Sequence, residues 1–269
     1  MTAFTSSVSG ARAARGFTLI EMAVAMFIIA LLLGSILVPL QSQIESRNFE
    51  NTQRILDQAR EALIGYAAAN GYFPCPASTT SNGLQAMGAG HPGTGTCAAV
   101  VTGANTWIGF LPAATLGFTP TDANGYAVDA WGLTQNRIRY AVSNWNSNTL
   151  TKTDGMRTAG MGSIASTPLL YVCSSGTGVV VGTNCGTAVT LTSNAPVVIW
   201  SVGPNGATTG GTSVHEAQNP NPNGGSPDRL FVSRTKAEAG AAGGEFDDIV
   251  TWIGTPTLFN RLIAAGQLP

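Results

Sequence analysis

Residues 22–40 contain no Asp, Glu, Lys or Arg, and together with residues 17–21 they read FTLIEMAVAMFIIALLLGSILVPL. A helix needs about 20 predominantly apolar residues to cross a hydrocarbon layer ~30 Å thick. A secretory signal has a shorter apolar core, about 7–15 residues, and a small-residue cleavage site. The run is therefore read as a membrane span over residues 17–40, not as a signal peptide. Arg12 and Arg15 are the only charges before it. They place the N-terminus on the cytoplasmic side and the rest of the chain across the membrane. Glu21 lies inside the apolar block, where an unpaired carboxylate costs a few kcal/mol. Pro39 removes one helical hydrogen bond and predicts a kink.

Beyond the span the chain is nearly neutral. Charged residues are 10% of the total, against about a quarter in an average domain. Thirteen Lys and Arg face fourteen Asp and Glu. That balance excludes a basic nucleic-acid surface and a polybasic lipid-binding patch. The 33 Gly and 14 Pro, among many Ser, Thr and Asn, point to a loop-rich, mostly β body.

Residues 41–69 continue the helix. Ile55, Ala59, Ala62, Leu63 and Tyr66 recur at a spacing near 3.6 and predict one apolar face. Asn70-Gly71 ends it. Short β-like runs follow at residues 137–142, 169–173, 178–181, 188–191, 196–202 and 229–233, separated by turn residues such as Gly203-Pro204-Asn205-Gly206. Residues 79–106 read as a long loop, and residues 203–228 contain a second. Thr255, Pro256 and Gly266 bracket a short C-terminal helix with Leu258, Phe259, Leu262 and Ile263 on its apolar face. The expected fold is α+β: a long kinked N-terminal helix packed on an antiparallel β-sheet domain.

The four cysteines form no C-x-x-C, and an oxidising compartment favours disulfides. Of the three pairings that four cysteines allow, Cys75–Cys97 and Cys173–Cys185 are expected, because each closes a local loop. The two histidines, His91 and His215, lie in loops. No nucleophile elbow, phosphate loop or H-E-x-x-H is present. The expectation is a non-enzyme.

Arg15-Gly16-Phe17-Thr18-Leu19-Ile20-Glu21-Met22 closely resembles the prepilin cleavage and methylation motif of type IV pilins and of the pseudopilins of type II secretion. The resemblance implies a pilin-like fold with three parts: a leader over residues 1–16, a helix over residues 17–70 and a periplasmic β-rich domain over residues 71–269. It implies cleavage by prepilin peptidase between Gly16 and Phe17, with N-methylation of the new amine. It gives Glu21 a role in assembly, pairing with the amine of a neighbouring subunit. The implied place is the bacterial inner membrane, single-pass, and then a pseudopilus or type IV pilus-like filament. The implied partners are the peptidase, other pilins or pseudopilins, and an inner-membrane assembly platform.

Asp129-Ala130-Trp131-Gly132 with Arg139-Tyr140, and Ser201-Val202-Gly203-Pro204-Asn205-Gly206 with Asp247 to Trp252, resemble segments of the major pseudopilin. There the C-terminal loops bind calcium, which makes Asp247 and Asp248 candidate Ca²⁺ ligands; an acidic turn capping a strand is the alternative. The chain's size fits a minor or specialised subunit. Two alternatives stay open: a type IV minor pilin acting in adhesion or DNA uptake, and an uncleaved membrane-anchored periplasmic binding module.

Overall fold

The computed structural model describes residues 16–98, 101–103, 106–133, 136–206, 213–219 and 228–269, and only the backbone of 33–41 and 101–103. The chain divides into two compact units, Met1–Ser46 and Arg47–Pro269. The boundary falls inside helix α1 (Leu19–Asn70). The expected leader, residues 1–16, lies outside the described residues except for Gly16.

In the first unit α1 shows water a nearly continuous apolar surface, with Phe17 77% and Leu19 92% exposed, and Met26, Phe27, Ile29 and Leu31 also uncovered. Among the described residues no helix is long and apolar enough to cross a membrane. The side chains of residues 33–40, the second half of the expected span, lie outside those described. Pro39, the site of the expected kink, sits within the helical range.

In the second unit α1 ends as the sequence predicts. Gly71 takes a left-handed φ of 77°, and its N–H reaches the Ala67 carbonyl at 2.8 Å. The buried face is Thr52, Leu56, Ala59, Leu63 and Ala67, with Ile64 beside it. Ile55 and Ala62, expected at its centre, are only partly buried. The buried stripe is thus rotated by about one residue from the expected one.

Strands β1 (Val101–Gly103), β2 (Thr106–Phe110), β3 (Arg139–Ser143), β6 (Val197–Ser201) and β8 (Ile249–Ile253) form an antiparallel sheet in the order β1-β2-β3-β6-β8. Strands β4 (Leu170–Cys173), β5 (Thr190–Ala195) and β7 (Leu230–Val232) form a second sheet, order β5-β4-β7. Tyr140, Val142, Val197 and Ile199 of the first sheet join the α1 face in one core. On its other side Ala141, Val198 and Trp200 pack on Leu170, Val172 and Phe231 of the second sheet. Both faces of β3 and β6 are thus covered, and every residue of the two strands is buried, Arg139, Ser143 and Ser201 included.

Several expectations are corrected. β4 pairs with β7 in parallel, not as a hairpin; the long chain between them allows the crossover that a parallel pair needs. Residues 178–181 form no strand: Val180 bridges only Asn184, in a turn closed by the Cys173–Cys185 disulfide. The run placed at 188–191 begins at Thr190 and reaches Ala195. The 79–106 loop is turns and isolated bridges held by the Cys75–Cys97 disulfide, and it contains β1. β2 and β8 are additional to the strands read from sequence. Short helical turns α2 (Ala113–Leu116), α3 (Trp145–Asn148), α4 (Gly155–Ala159) and α5 (Met161–Ser166) fill the connections. Helix α6 (Thr255–Ala264) closes the chain, but Gly254, not Thr255, is its N-cap. The Thr255 hydroxyl instead accepts from Asn194 Nδ2 at 3.2 Å.

Candidate functional site

Two sets of residues carry the functional reading, one in each unit. In the first, Gly16 and Phe17 precede α1 in exposed, non-helical backbone. A Cβ on Gly16 would meet nothing within 4 Å. Glu21 lies in the first helical turn, also exposed. Its carboxylate Oε2 accepts the Thr18 N–H at 3.4 Å, and its own N–H donates to Thr18 Oγ1 at 3.3 Å. This is a reciprocal capping box, with Thr18 as N-cap and Glu21 at the third helical position. The T-x-x-E spacing that signals it stands in the sequence at Thr18 and Glu21, but the resemblance had absorbed Glu21 into a different role.

In the second unit the folded chain brings a third acid to the two expected ones. Glu216, Asp247 and Asp248 are all buried, and one oxygen from each lies within 4.8 Å of the others. Asp247 and Asp248 stand just before β8; Glu216 begins a 3-10 turn, Glu216–Gln218. Asn205 Nδ2 donates to Glu216, and the Asp247 N–H reaches Glu216 Oε1 at 3.1 Å. Asp248 Oδ2 accepts from Asn219 Nδ2 at 2.8 Å.

Asp247 differs: it is 3% exposed, yet neither carboxylate oxygen has a hydrogen-bond partner among the described residues. Burial, reinforced by the charges of Glu216 and Glu245, pushes its pKa up to about 8; the Asn205 backbone N–H only moderates this. Burial likewise raises Asp248 well above the usual carboxylate range, with the Asn219 amide opposing.

Gly203 makes room for this arrangement. It sits at φ 63°, and a Cβ there would lie 2.4 Å from Asp247 Oδ1. Its carbonyl accepts from Asn136 Nδ2. Asn136 in turn donates to Asp129 Oδ2 at 3.0 Å, which also accepts from Ser201 Oγ at 2.6 Å, while Asp129 Oδ1 accepts the Trp131 N–H at 3.0 Å. Asp129 is thus a structural hub that fixes the Gly203 turn against Asp247. Burial raises its pKa, and the bonds from Ser201 and Asn136 oppose that rise. Asp129→Ala removes three side-chain bonds and strands their donors; it is expected to cost about 3 kcal/mol or more, read as a fall in Tm, with no change in N-terminal cleavage.

Three buried carboxylates are a donor set of hard oxygens, which fits Ca²⁺. The two orphaned oxygens of Asp247 are the observation that favours a cation, since an unpaired buried carboxylate is otherwise costly. Glu216 was not legible as a member. It is far from Asp247 in sequence, and no local spacing links them.

The cysteines pair as Cys75–Cys97 and Cys173–Cys185. Of the histidines, His215 is buried, its Nδ1 accepting the Gly176 N–H at 2.9 Å. His91 packs edge-on to Tyr72.

No curated protein and no solved structure matches the chain significantly. Residues 11–37, which include Gly16, Phe17, Thr18 and Glu21, match the model of the prokaryotic N-terminal methylation motif, so this chain carries the prepilin-type signature of type IV pilins and pseudopilins.

Proposed function

We propose that the protein is a structural, non-catalytic subunit made as a prepilin and cut by prepilin peptidase between Gly16 and Phe17. It is then held in the bacterial inner membrane, N-terminus cytoplasmic and β-rich domain periplasmic, and assembled into a type II secretion pseudopilus or type IV pilus-like filament. The methylation-motif match over residues 11–37 carries this reading. The exposed side chains after it support it physically. Burying one Leu, Ile or Phe is worth about 1.5–3 kcal/mol, and a contiguous run of exposed apolar side chains marks an interaction site. Lipid before assembly and sister helices afterwards both cover it. Moving between two apolar settings costs little solvation energy. The Asp129-to-Gly132 turn favours the secretion filament, and the chain's size favours a minor or specialised subunit.

The test is the mass of the membrane-extracted chain in cells with and without prepilin peptidase. A mature chain beginning at methylated Phe17 supports the proposal; an intact N-terminus overturns it in favour of an uncleaved anchored module. A Glu21→Ala chain is expected to insert and to be cut normally, but to enter sheared filaments at a small fraction of the wild-type level.

The buried acids support a second, subordinate reading: Glu216, Asp247 and Asp248 hold one Ca²⁺. Bound there, the cation supplies the positive charge that lets the carboxylates stay ionised while buried. The chain's own contribution is to bring together the Gly203 turn, the 3-10 turn and the start of β8.

A further inference from the structure

Arg139 opens β3, directly across from Phe110 on β2 and Trp200 on β6, so the three side chains share one face of the sheet. It is 5% exposed. Its guanidinium carbon lies 4.3 Å from the centre of the Phe110 ring. The ring offsets part of the charge but accepts no conventional hydrogen bond. Nε and Nη2 are both buried, and neither has a hydrogen-bond partner among the described residues. The charge that acts on this guanidinium is a like one, that of Arg137. Burial first and Arg137 second lower its pKa to about 9, so it stays charged at neutral pH. Arg137 shows the contrast. Its Nε and Nη2 both reach Asp122 Oδ2 at 2.7 Å, while Asp122 Oδ1 accepts the N–H groups of Asn124 and Tyr126 at 2.9 Å. That carboxylate is fully engaged by Arg137 and its own turn.

The two unpartnered atoms of Arg139 belong to one edge of the planar guanidinium. Their N–H bonds run parallel along it, which is the geometry that two oxygens of a carboxylate or phosphate accept. A guanidinium taken out of water without a counter-charge is strongly disfavoured, and unlike a lysine it does not escape by losing its proton. We propose that the Nε–Nη2 edge of Arg139 binds one small oxyanion, a free carboxylate or phosphate, inside the β-rich domain. The burial of the side chain selects an ion enclosed with it, not an acid reaching in from another chain. Beside it the two sheets meet, with the ring centres of Trp200 and Phe231 5.0 Å apart. An anion held there adds a counter-charge where β2, β3 and β6 are paired, so the occupied domain is the more stable one. The site is separate from the N-terminal signature and from the buried acids, and it stands whether or not those readings hold.

For the test, the full chain in detergent micelles is dialysed into neutral chloride buffer with EDTA, which keeps cations off the acid cluster. Sodium phosphate or sodium acetate then replaces chloride at constant ionic strength. With at least one of the two, Tm is expected to rise and to saturate, half-way at millimolar concentration or below, and titration calorimetry is expected to count one ion per chain. Which of the two saturates tells phosphate from carboxylate. Arg139→Lys keeps a charge but lacks the two-pronged edge, and it is expected to weaken binding roughly tenfold or more. Arg54→Lys, at an exposed position on α1, is expected to bind as the wild type does. Should Arg139→Lys fail to fold, the Nε–H resonance of Arg139 in the isotope-labelled wild-type chain decides, and it is expected to shift with the same half-saturation. No saturable rise with either anion, wild-type affinity in Arg139→Lys, or an Arg139 Nε–H resonance that ignores the anion overturns the proposal and leaves water as the partner of this edge.

Discussion

A chain carrying Gly16→Leu is expected to remain uncut: the membrane-extracted protein keeps the mass of the full 269 residues, and no filament incorporation is seen. The effect should be all or none, because the substitution blocks the step that creates the amine at Phe17. The structure makes this a clean test. Gly16 is exposed in non-helical backbone before α1, and a Cβ there would meet nothing within 4 Å. Nothing among the described residues crowds that position, and a loss of cleavage reports recognition by the peptidase. Wild-type cleavage of the Leu variant would remove Gly16 from the processing site.

Calcium at about one hundred times its Kd is expected to add ~2.7 kcal/mol to the stability of the folded chain, raising Tm by roughly 5–10 °C for a domain of this size. EDTA should reverse the rise, and Asp247→Asn should abolish most of it. Gly203→Ala should blunt it as well, because a Cβ there falls 2.4 Å from Asp247 Oδ1.

The same acids set a pH dependence in cation-free buffer. Burial raises the folded-state pKa of Asp247 from 3.8 to about 8. Between those values the folded chain holds a proton that the unfolded chain has released. Stability is then fully present below about pH 4 and is lost as pH rises toward 8. Saturating calcium should flatten the decline, since the cation stabilises the ionised form. Thermal melts from pH 4 to 8, with calcium and with EDTA, check both signs. Identical curves under the two conditions would rule out a cation at these residues.

The parts that were legible in sequence share one property: they depend on neighbours along the chain. The stop at Asn70-Gly71, the apolar second half of α1 to within one residue of rotation, and strands β3, β4, β6 and β7 all follow from local pattern. The two disulfides close short loops at separations of 22 and 12 residues, and the structure pairs them that way. The misreadings are equally physical. Val179, Val180 and Val181 have high strand propensity, but they lie in a turn within the short loop that the Cys173–Cys185 disulfide closes. β8, Ile249–Ile253, is added to the sheet by antiparallel pairing with β6 along its whole length.

What the sequence alone settles is the N-terminal signature and the helix behind it. A peptidase reads a short linear motif, and an unbroken apolar run dictates its own surroundings through solvation. What only the tertiary structure decides is the acid cluster and the hub that supports it. Glu216 reaches Asp247 across 31 residues, and Asp129 meets Ser201 across 72. Such meetings arise from sheet order and loop closure, which bring into contact groups that no local periodicity connects.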